Sequence, residues 1–387
     1  MRGNSRKWLA LAFTFPFLGS CSLQLARAQG PSREPLANAL TEAQWNQLDA
    51  SVDRGLEWLL AKQGNQGEFY SARPAGQPGI TALALLAFMS RGHQPGTGPY
   101  GKQLQRAVEF VLSCQLEDGL FSYKRPEAVH VRRRPSHTAT YNHAIAGVML
   151  SEAYGMNPER RDERLRSAIE RAIARTRQLQ TKRKPRPQDV GGWRYIRRST
   201  EGADFESDLS VTAWHLMFYR SALNAGFEVR QEFAEEAVAY VRRCHVPLGD
   251  RNRRRGAFSY FAEGTHMANH PMTGCGLLTL ALGGAADDPL CQDAADWLLA
   301  HPSRRYDDLE RFSYAAYYSS QAMAQMGGHY WKEYYPSLAM GIVRGQQRDG
   351  SWLSQHDTTA DFGPCYPTSM SILALTTGYQ LLPIYQR

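Results

Sequence analysis

Hydrophobic positions along this chain fall into two alternating kinds of segment. In the first, an apolar stripe recurs at helical spacing with charges between, as in Gly55-Leu56-Glu57-Trp58-Leu59-Leu60-Ala61-Lys62-Gln63. Such a stripe predicts a helix with one face buried and the other in water. In the second kind, charge is nearly absent all round. These segments run Ile80 to Ser90, Tyr141 to Tyr154, Leu209 to Ala222, Met272 to Leu282, Ala315 to Met326 and Thr368 to Thr377. A helix without a polar face must be covered on most sides. No alternating strand pattern of comparable strength is present.

The two kinds are joined by a recurring step in which the striped helix leads to a glycine and then an aromatic. Gln63 leads to Gly67-Glu68-Phe69, and Gln115 to Gly119-Leu120-Phe121. Gln180 leads, after a basic insertion, to Gly191-Gly192-Trp193, and Val241 leads to Gly256-Ala257-Phe258. Leu299 leads to Phe312 without the glycine, and Gln346 to Gly350-Ser351-Trp352. Six copies predict twelve helices in six pairs. An inner layer of uncharged helices wrapped by an outer layer of striped ones satisfies both patterns, and closing the array into a ring removes the need for capping repeats. Glycine lets the chain leave the outer helix in a conformation closed to other residues, and the Gln amide can tie off backbone groups at a helix end. Glycines after the inner segments, at Gly92, Gly155, Gly226, Gly283, Gly327 and Gly378, are expected as left-handed caps.

The Gln-x-x-x-Gly-x-aromatic step fits best in residues 346–352 and nearly as well in 54–69 and 106–121. It resembles the QW-type repeat of squalene and oxidosqualene cyclases, and the helix pairing resembles that of protein prenyltransferase β subunits. The resemblance covers about residues 50–380. It implies an all-α fold, an (α/α)6 toroid of six helix pairs around a largely apolar central cavity.

The N-terminus reads differently. Arg2, Arg6 and Lys7 precede an apolar stretch from Trp8 to Leu18, and Ala26-Arg27-Ala28 offers a small-x-small cleavage site. Residues 1–28 are therefore expected to be a signal peptide, residues 29–48 a linker and residues 49–387 one toroid domain, in an exported (periplasmic or secreted) protein. A second reading takes Leu18-Gly19-Ser20-Cys21 as a lipobox with a lipid on Cys21. No later segment has the apolar length of a membrane span. The formal charge of +8 falls to +4 without residues 1–28, which hold four basic residues and no acid. Basic runs at Lys124–Arg134, Lys182–Arg186, Arg194–Arg198 and Arg251–Arg255 read as solvated loops or as a face for an anionic ligand; export and the lack of a binding motif argue against nucleic acid. Cys114, Cys244, Cys275, Cys291 and Cys365 have wide, irregular spacing and read as buried single thiols.

Loops within pairs are long (Glu117 to Thr140, Thr181 to Asp208, Val246 to Pro271, Arg348 to Pro367), whereas those between pairs are short, as at Ala286 to Gln292 or Gly328 to Pro336. Long loops on a rigid scaffold are where sites usually sit. The inner helices begin at the same end, so their free N–H groups and the basic loops should favour anions there. Catalytic candidates at this rim are Asp204, Glu206, Asp208, Tyr141, His143 and His215; ligand-binding candidates are His266, His270, Cys365, Tyr366, Asp361 and Asn142.

The family resemblance implies specific chemistry against which these residues can be set. Squalene-type cyclases protonate an alkene from an Asp-x-Asp-Asp-Thr-Ala motif. Here Asp208-Leu209-Ser210-Val211-Thr212-Ala213 keeps the first acid and Thr212-Ala213, but Ser210 and Val211 replace the two central acids. Prenyltransferases hold zinc with Asp, Cys and His; Asp361, Cys365 and His270 supply those types at a different spacing, so no cofactor is expected, with zinc the one alternative. Polysaccharide lyases use Tyr or His as base and Asn or Arg against a carboxylate, which Tyr141, Asn142 and His143 match in type, although adjacent residues on a helix diverge by about 100°. The favoured expectation is a toroid that binds an apolar or anionic small molecule, lipid, glycan or partner at its mouth. A cyclase- or transferase-like enzyme comes second and a lyase-like enzyme third.

Overall fold

The computed structural model describes residues 36–156, 162–196, 206–248, 254–264, 267–354 and 359–386. The expected signal peptide (residues 1–28, with Cys21), Asp204 and His266 lie outside them. The described residues are helical, with isolated bridges in place of strands. The outer helices are α1 (Glu42–Leu60), α3 (Gly101–Ser113), α5 (Glu163–Gln180), α7 (Gln231–Arg243), α9 (Pro289–Ala300) and α11 (Gly328–Arg344). The inner helices are α2 (Gly79–Ser90), α4 (Pro135–Met156), α6 (Leu209–Asn224), α8 (His270–Leu282), α10 (Phe312–Met326) and α13 (Cys365–Leu375); the short α12 (Thr359–Phe362) lies in the last loop. Each inner helix packs on the inner helices before and after it, and α13 packs back on α2. The ring is closed, as the patterning predicts.

The Gln-Gly-aromatic step is the joint between neighbouring units. Gln63 Nε2 donates to the carbonyl of Gly67 in its own loop (3.0 Å) and to that of Gln103 on the next outer helix (2.8 Å). Gln115 does the same to Gly119 and Ala168, and Gln180 to Gly191 and Phe233. Gln346 donates to Gly350 and Ser51, so the last joint closes the circle. Gly67, Gly119, Gly191 and Gly350 have φ of 96, 84, 92 and 95°. A Cβ at each would press on the carbonyl of the next outer helix, 2.6 Å from Arg54 O in the case of Gly350. The conformation and the close approach thus both demand glycine there.

The aromatic that follows is fully buried in five joints, and its N–H is received by the first turn of an inner helix. Phe69, Trp193, Phe258 and Trp352 donate to the hydroxyls of Thr81, Thr212, Thr273 and Thr368 at 2.9–3.2 Å. Phe121 donates instead to His143 Nδ1 at 3.1 Å. Thr212, Thr273 and Thr368 are the fourth residues of their helices, but His143 is the ninth of α4. α4 therefore runs about five residues further toward the mouth than its siblings, about 7.5 Å at the helical rise. This corrects the expected start at Tyr141.

Three other expectations change. Residues 328–336 are not a connection: α11 begins at Gly328, directly after α10, and contains Pro336. Gly92, Gly226 and Gly327 have positive φ as expected, but Gly155 lies inside α4, Gly378 lies in a 3-10 turn, and at Gly283 the left-handed residue is its neighbour Gly284. At the far end, the C-terminal turn Pro383–Tyr385 packs on α4 and α6 and is held by Asn224 (to Pro383 O, 2.9 Å) and Gln325 (to Tyr385 O, 3.1 Å). Buried Glu152 of α4 receives the Ser221 hydroxyl and the Ile384 N–H.

Candidate functional site

A cavity of about 690 Å³ opens where the inner helices begin. Its inner part is lined by Ile80, Leu83, Ile145, Trp214, Met272 and Tyr314; its rim carries Arg132, Arg133, Arg194, Arg311 and His137. The volume is that of a small-molecule site. The overlong α4 supplies much of one wall: His137 and Thr138 come from its projecting turns, and Tyr141 and Asn142 from the turn behind them.

Five expected site residues line this cavity: Tyr141, Asn142, His270, Asp361 and Tyr366. Their polar atoms are largely engaged. The Asn142 amide donates to the carbonyls of Ala75 and Gln77 at 2.8 and 2.9 Å, tying α4 to the first loop. Tyr141 Oη is 2.5 Å from Ser210 Oγ, and burial, with Tyr195, Tyr260 and Asp208 nearby, holds its hydroxyl well above the usual range, which disfavours it as a base. Asp361 pairs with Arg133 at 2.6 Å. His270 Nε2 is 3.1 Å from the Tyr334 hydroxyl, and burial lowers its imidazole to about 4.

The other described candidates stand elsewhere. His143 serves the joint: Nδ1 accepts from Phe121, so Nε2 carries the proton toward Thr176 Oγ1 at 3.0 Å. His215 is fully buried, stacked on Trp193 with ring centroids 4.9 Å apart, and its Nδ1 is 3.0 Å from the Val211 carbonyl. Glu206 is buried under the third loop, where its N–H donates to Asp189 and its carbonyl receives Lys184. Cys365 is buried and off the cavity lining, its thiol pushed up to about 12 by burial. Among the described residues no three His, Cys, Asp or Glu side chains gather in a way that could hold a metal, and Asp361, Cys365 and His270 are engaged separately.

Asp208 caps α6, with Oδ1 receiving Val211 N–H at 2.8 Å and Ser210 Oγ at 2.9 Å while Oδ2 receives Arg194 at 2.9 Å. Burial pushes this carboxyl up, and those donors pull against it. Both its oxygens are thus occupied by donors from the helix start and the third loop. Asn269 caps α8 likewise, through Met272 N–H at 3.0 Å, and Glu127 receives the N–H of Ser136 at the start of α4. The starts of α4, α6 and α8 are thus satisfied from within, whereas α10 and α13 begin without a side-chain cap. Positive charge at the mouth is carried mainly by the guanidinium groups of Arg132, Arg133, Arg194 and Arg311.

Those guanidiniums differ in how far they are compensated. Arg194 is paired with Asp208 and framed by Tyr195, Tyr260 and Phe261, and Arg133 is paired with Asp361. Arg132 makes no ion pair among the described residues, and Arg311 reaches only the exposed Glu310, at 3.9 Å. Arg311 also holds a left-handed backbone, φ 57 and ψ 43, as the residue before α10. Strain of this kind concentrates at functional positions. Arg311, His137 and the aromatic wall of Tyr195, Tyr260 and Trp214 were not legible as site residues. Arg311 stands alone in sequence between Glu310 and Phe312, outside every basic run.

A scan against protein-family models finds no match, and a search among curated proteins finds no relative. Solved structures do match in shape. The chain superposes on the type II terpene cyclase MstE from Scytonema, in complex with geranylgeranyl dihydroxybenzoate, with a TM-score of 0.55 and 15% identity, over 89% of this chain and 100% of that one. It superposes on an inactive variant of an α-1,6-mannanase from Salegentibacter, in complex with α-1,6-mannotetrose, with a TM-score of 0.61 and 10% identity, over 86% and 99%. An α-amylase from Clostridium perfringens gives 0.53 and 10%, over 85% and 97%. The protein is an α/α toroid of the shape shared by terpene cyclases and these glycan-acting proteins. At such identities the likeness carries the fold and leaves the activity to the site itself.

Proposed function

We infer that this toroid binds an amphiphilic anion, with the apolar part inside the ring and the charged head at the arginine rim. One observation carries this reading: incompletely compensated Arg132 and Arg311 share a cavity with an apolar wall of Ile80, Leu83, Ile145, Trp214 and Met272. Neither half alone selects such a ligand. An apolar hollow without charge would take any hydrocarbon, and a cationic patch without a hollow any anion. Together they favour a molecule that buries its tail, at roughly 25 cal/mol per Å² of apolar surface removed from water, and leaves its charge among guanidiniums. Against cyclase-type protonation, the acid at the start of α6 is paired and capped.

Binding of decanesulfonate and of decanol, followed by Trp fluorescence, tests the reading. The sulfonate should bind at least about tenfold more tightly than the alcohol, a difference of about 1.4 kcal/mol, and Arg311→Gln should remove most of the gap. Equal affinities, or a gap untouched by Arg311→Gln, would overturn it. We further propose, from the signal peptide expected in residues 1–28, that the protein works outside the cytoplasm; fractionation of cells making the tagged chain checks that separately.

A further inference from the structure

Beside Arg311 the rim holds a pair of imidazoles. His130 Nε2 and His137 Nδ1 are 2.9 Å apart, one on the loop before α4 and the other on its projecting turns. Both rings lie against Tyr195, with centroids at 5.0 and 4.3 Å. A hydrogen bond between two ring nitrogens requires one of them to accept, so the pair cannot hold a full complement of protons. His137 lines the cavity, and its ring makes no other hydrogen bond with the described residues. Every element packed round it brings positive charge: Arg132 from the loop before α4, which also carries His130, Arg194 beside Tyr195 from the loop before α6, and Arg311 from the loop before α10. The acids of the cavity lining do not offset this, since Asp361 is taken by Arg133 and Glu310 is turned to Arg311.

We propose that His137 is a ligand-binding residue of this rim and that it takes up a proton when an anionic head settles between Arg132 and Arg311. The step is a protonation from water: His137 donates through Nδ1 to His130 Nε2, and its own Nε2 gains a proton as the incoming anion offsets the surrounding cations. Burial, His130 and the three arginines hold the empty site's His137 down at about 4. An anion beside it removes much of that repulsion, so the bound form holds its proton at a pH where the free form does not. The mouth then grips an anion more tightly as pH falls and releases it as pH rises. This rests on the amphiphilic-anion reading and adds the residue that couples it to protons.

Decanesulfonate is a suitable probe because its own charge is fixed across the range. Calorimetric titration at pH 6 in two buffers of different ionisation enthalpy counts the protons taken up. The intact protein should take up about half a proton or more per ligand and bind about tenfold more tightly at pH 5 than at pH 7. His137→Gln, checked for unchanged thermal unfolding, should take up none and bind equally at both pH values. Binding without proton uptake, or uptake that persists in His137→Gln, would overturn this proposal and leave the amphiphile reading standing. Failure of decanesulfonate to bind at either pH would remove both.

Discussion

Arg194 donates to Asp208 at 2.9 Å in a setting where the carboxylate is fully buried and the guanidinium nearly so. That single contact joins the third loop to the start of α6 and decides what the site can do. The acid nearest the position of a cyclase proton donor is already an N-cap and an ion-pair partner.

Replacing one partner leaves the other charge buried and unmatched. Asp208→Asn keeps a good capping residue but strands Arg194. Chemical denaturation should show a loss of about 3 kcal/mol. The double change Asp208→Asn with Arg194→Met should recover at least half of it, and full additivity of the two single losses would show that the pair is not coupled.

Ring closure depends on glycine at the joints. Gly350→Ala places a methyl 2.6 Å from the Arg54 carbonyl at φ 95, and should cost about 2–3 kcal/mol. Gly98 is also left-handed, at φ 69, but a Cβ there meets nothing within 4 Å. Gly98→Ala should cost only about 1 kcal/mol. Equal losses at the two positions would mean that the close approach between neighbouring outer helices is unimportant.

Glu152 gives a pH signature at the far end of the ring. Burial raises its carboxyl to about 7, with Ser221 and the Ile384 N–H pulling it down. In the unfolded chain it titrates near 4.3. Between those values the folded protein holds a proton that the unfolded chain has lost. Stability from this group is therefore fully present below about pH 4 and declines as pH rises toward 7, by up to about 4 kcal/mol. Denaturation midpoints of the wild type and Glu152→Gln, taken at pH 5 and pH 8, should diverge in that sense; a constant difference between them would contradict it.

Fold and site were legible to different degrees, for physical reasons. Two helix classes and a repeating Gln-Gly-aromatic step are periodic signals, and they led to the ring because each joint uses the same bonds, as Gln63, Gln115, Gln180 and Gln346 show. The start of α4 was missed because its first turns, from Pro135 to Thr140, are short, polar and interrupted by His137, so they lack the apolar run that marked the other inner helices. That shift of about five residues moved His143 from the mouth into a joint and brought His137 to the cavity. Asp208 is a candidate acid by residue type and position, and its hydrogen bonds make it a cap. Arg311 could not have been found from pattern, because its importance comes from a left-handed backbone and from a weak counter-charge. Both are properties of tertiary structure.

The most direct test of the account is the position of a bound amphiphile in crystals grown with decanesulfonate. The tail should lie along Trp214 and Ile145 inside the ring, with the sulfonate in hydrogen-bonding reach of Arg311. Density for the molecule on the outer wall, or a ring that stays empty at concentrations saturating in solution, would contradict it.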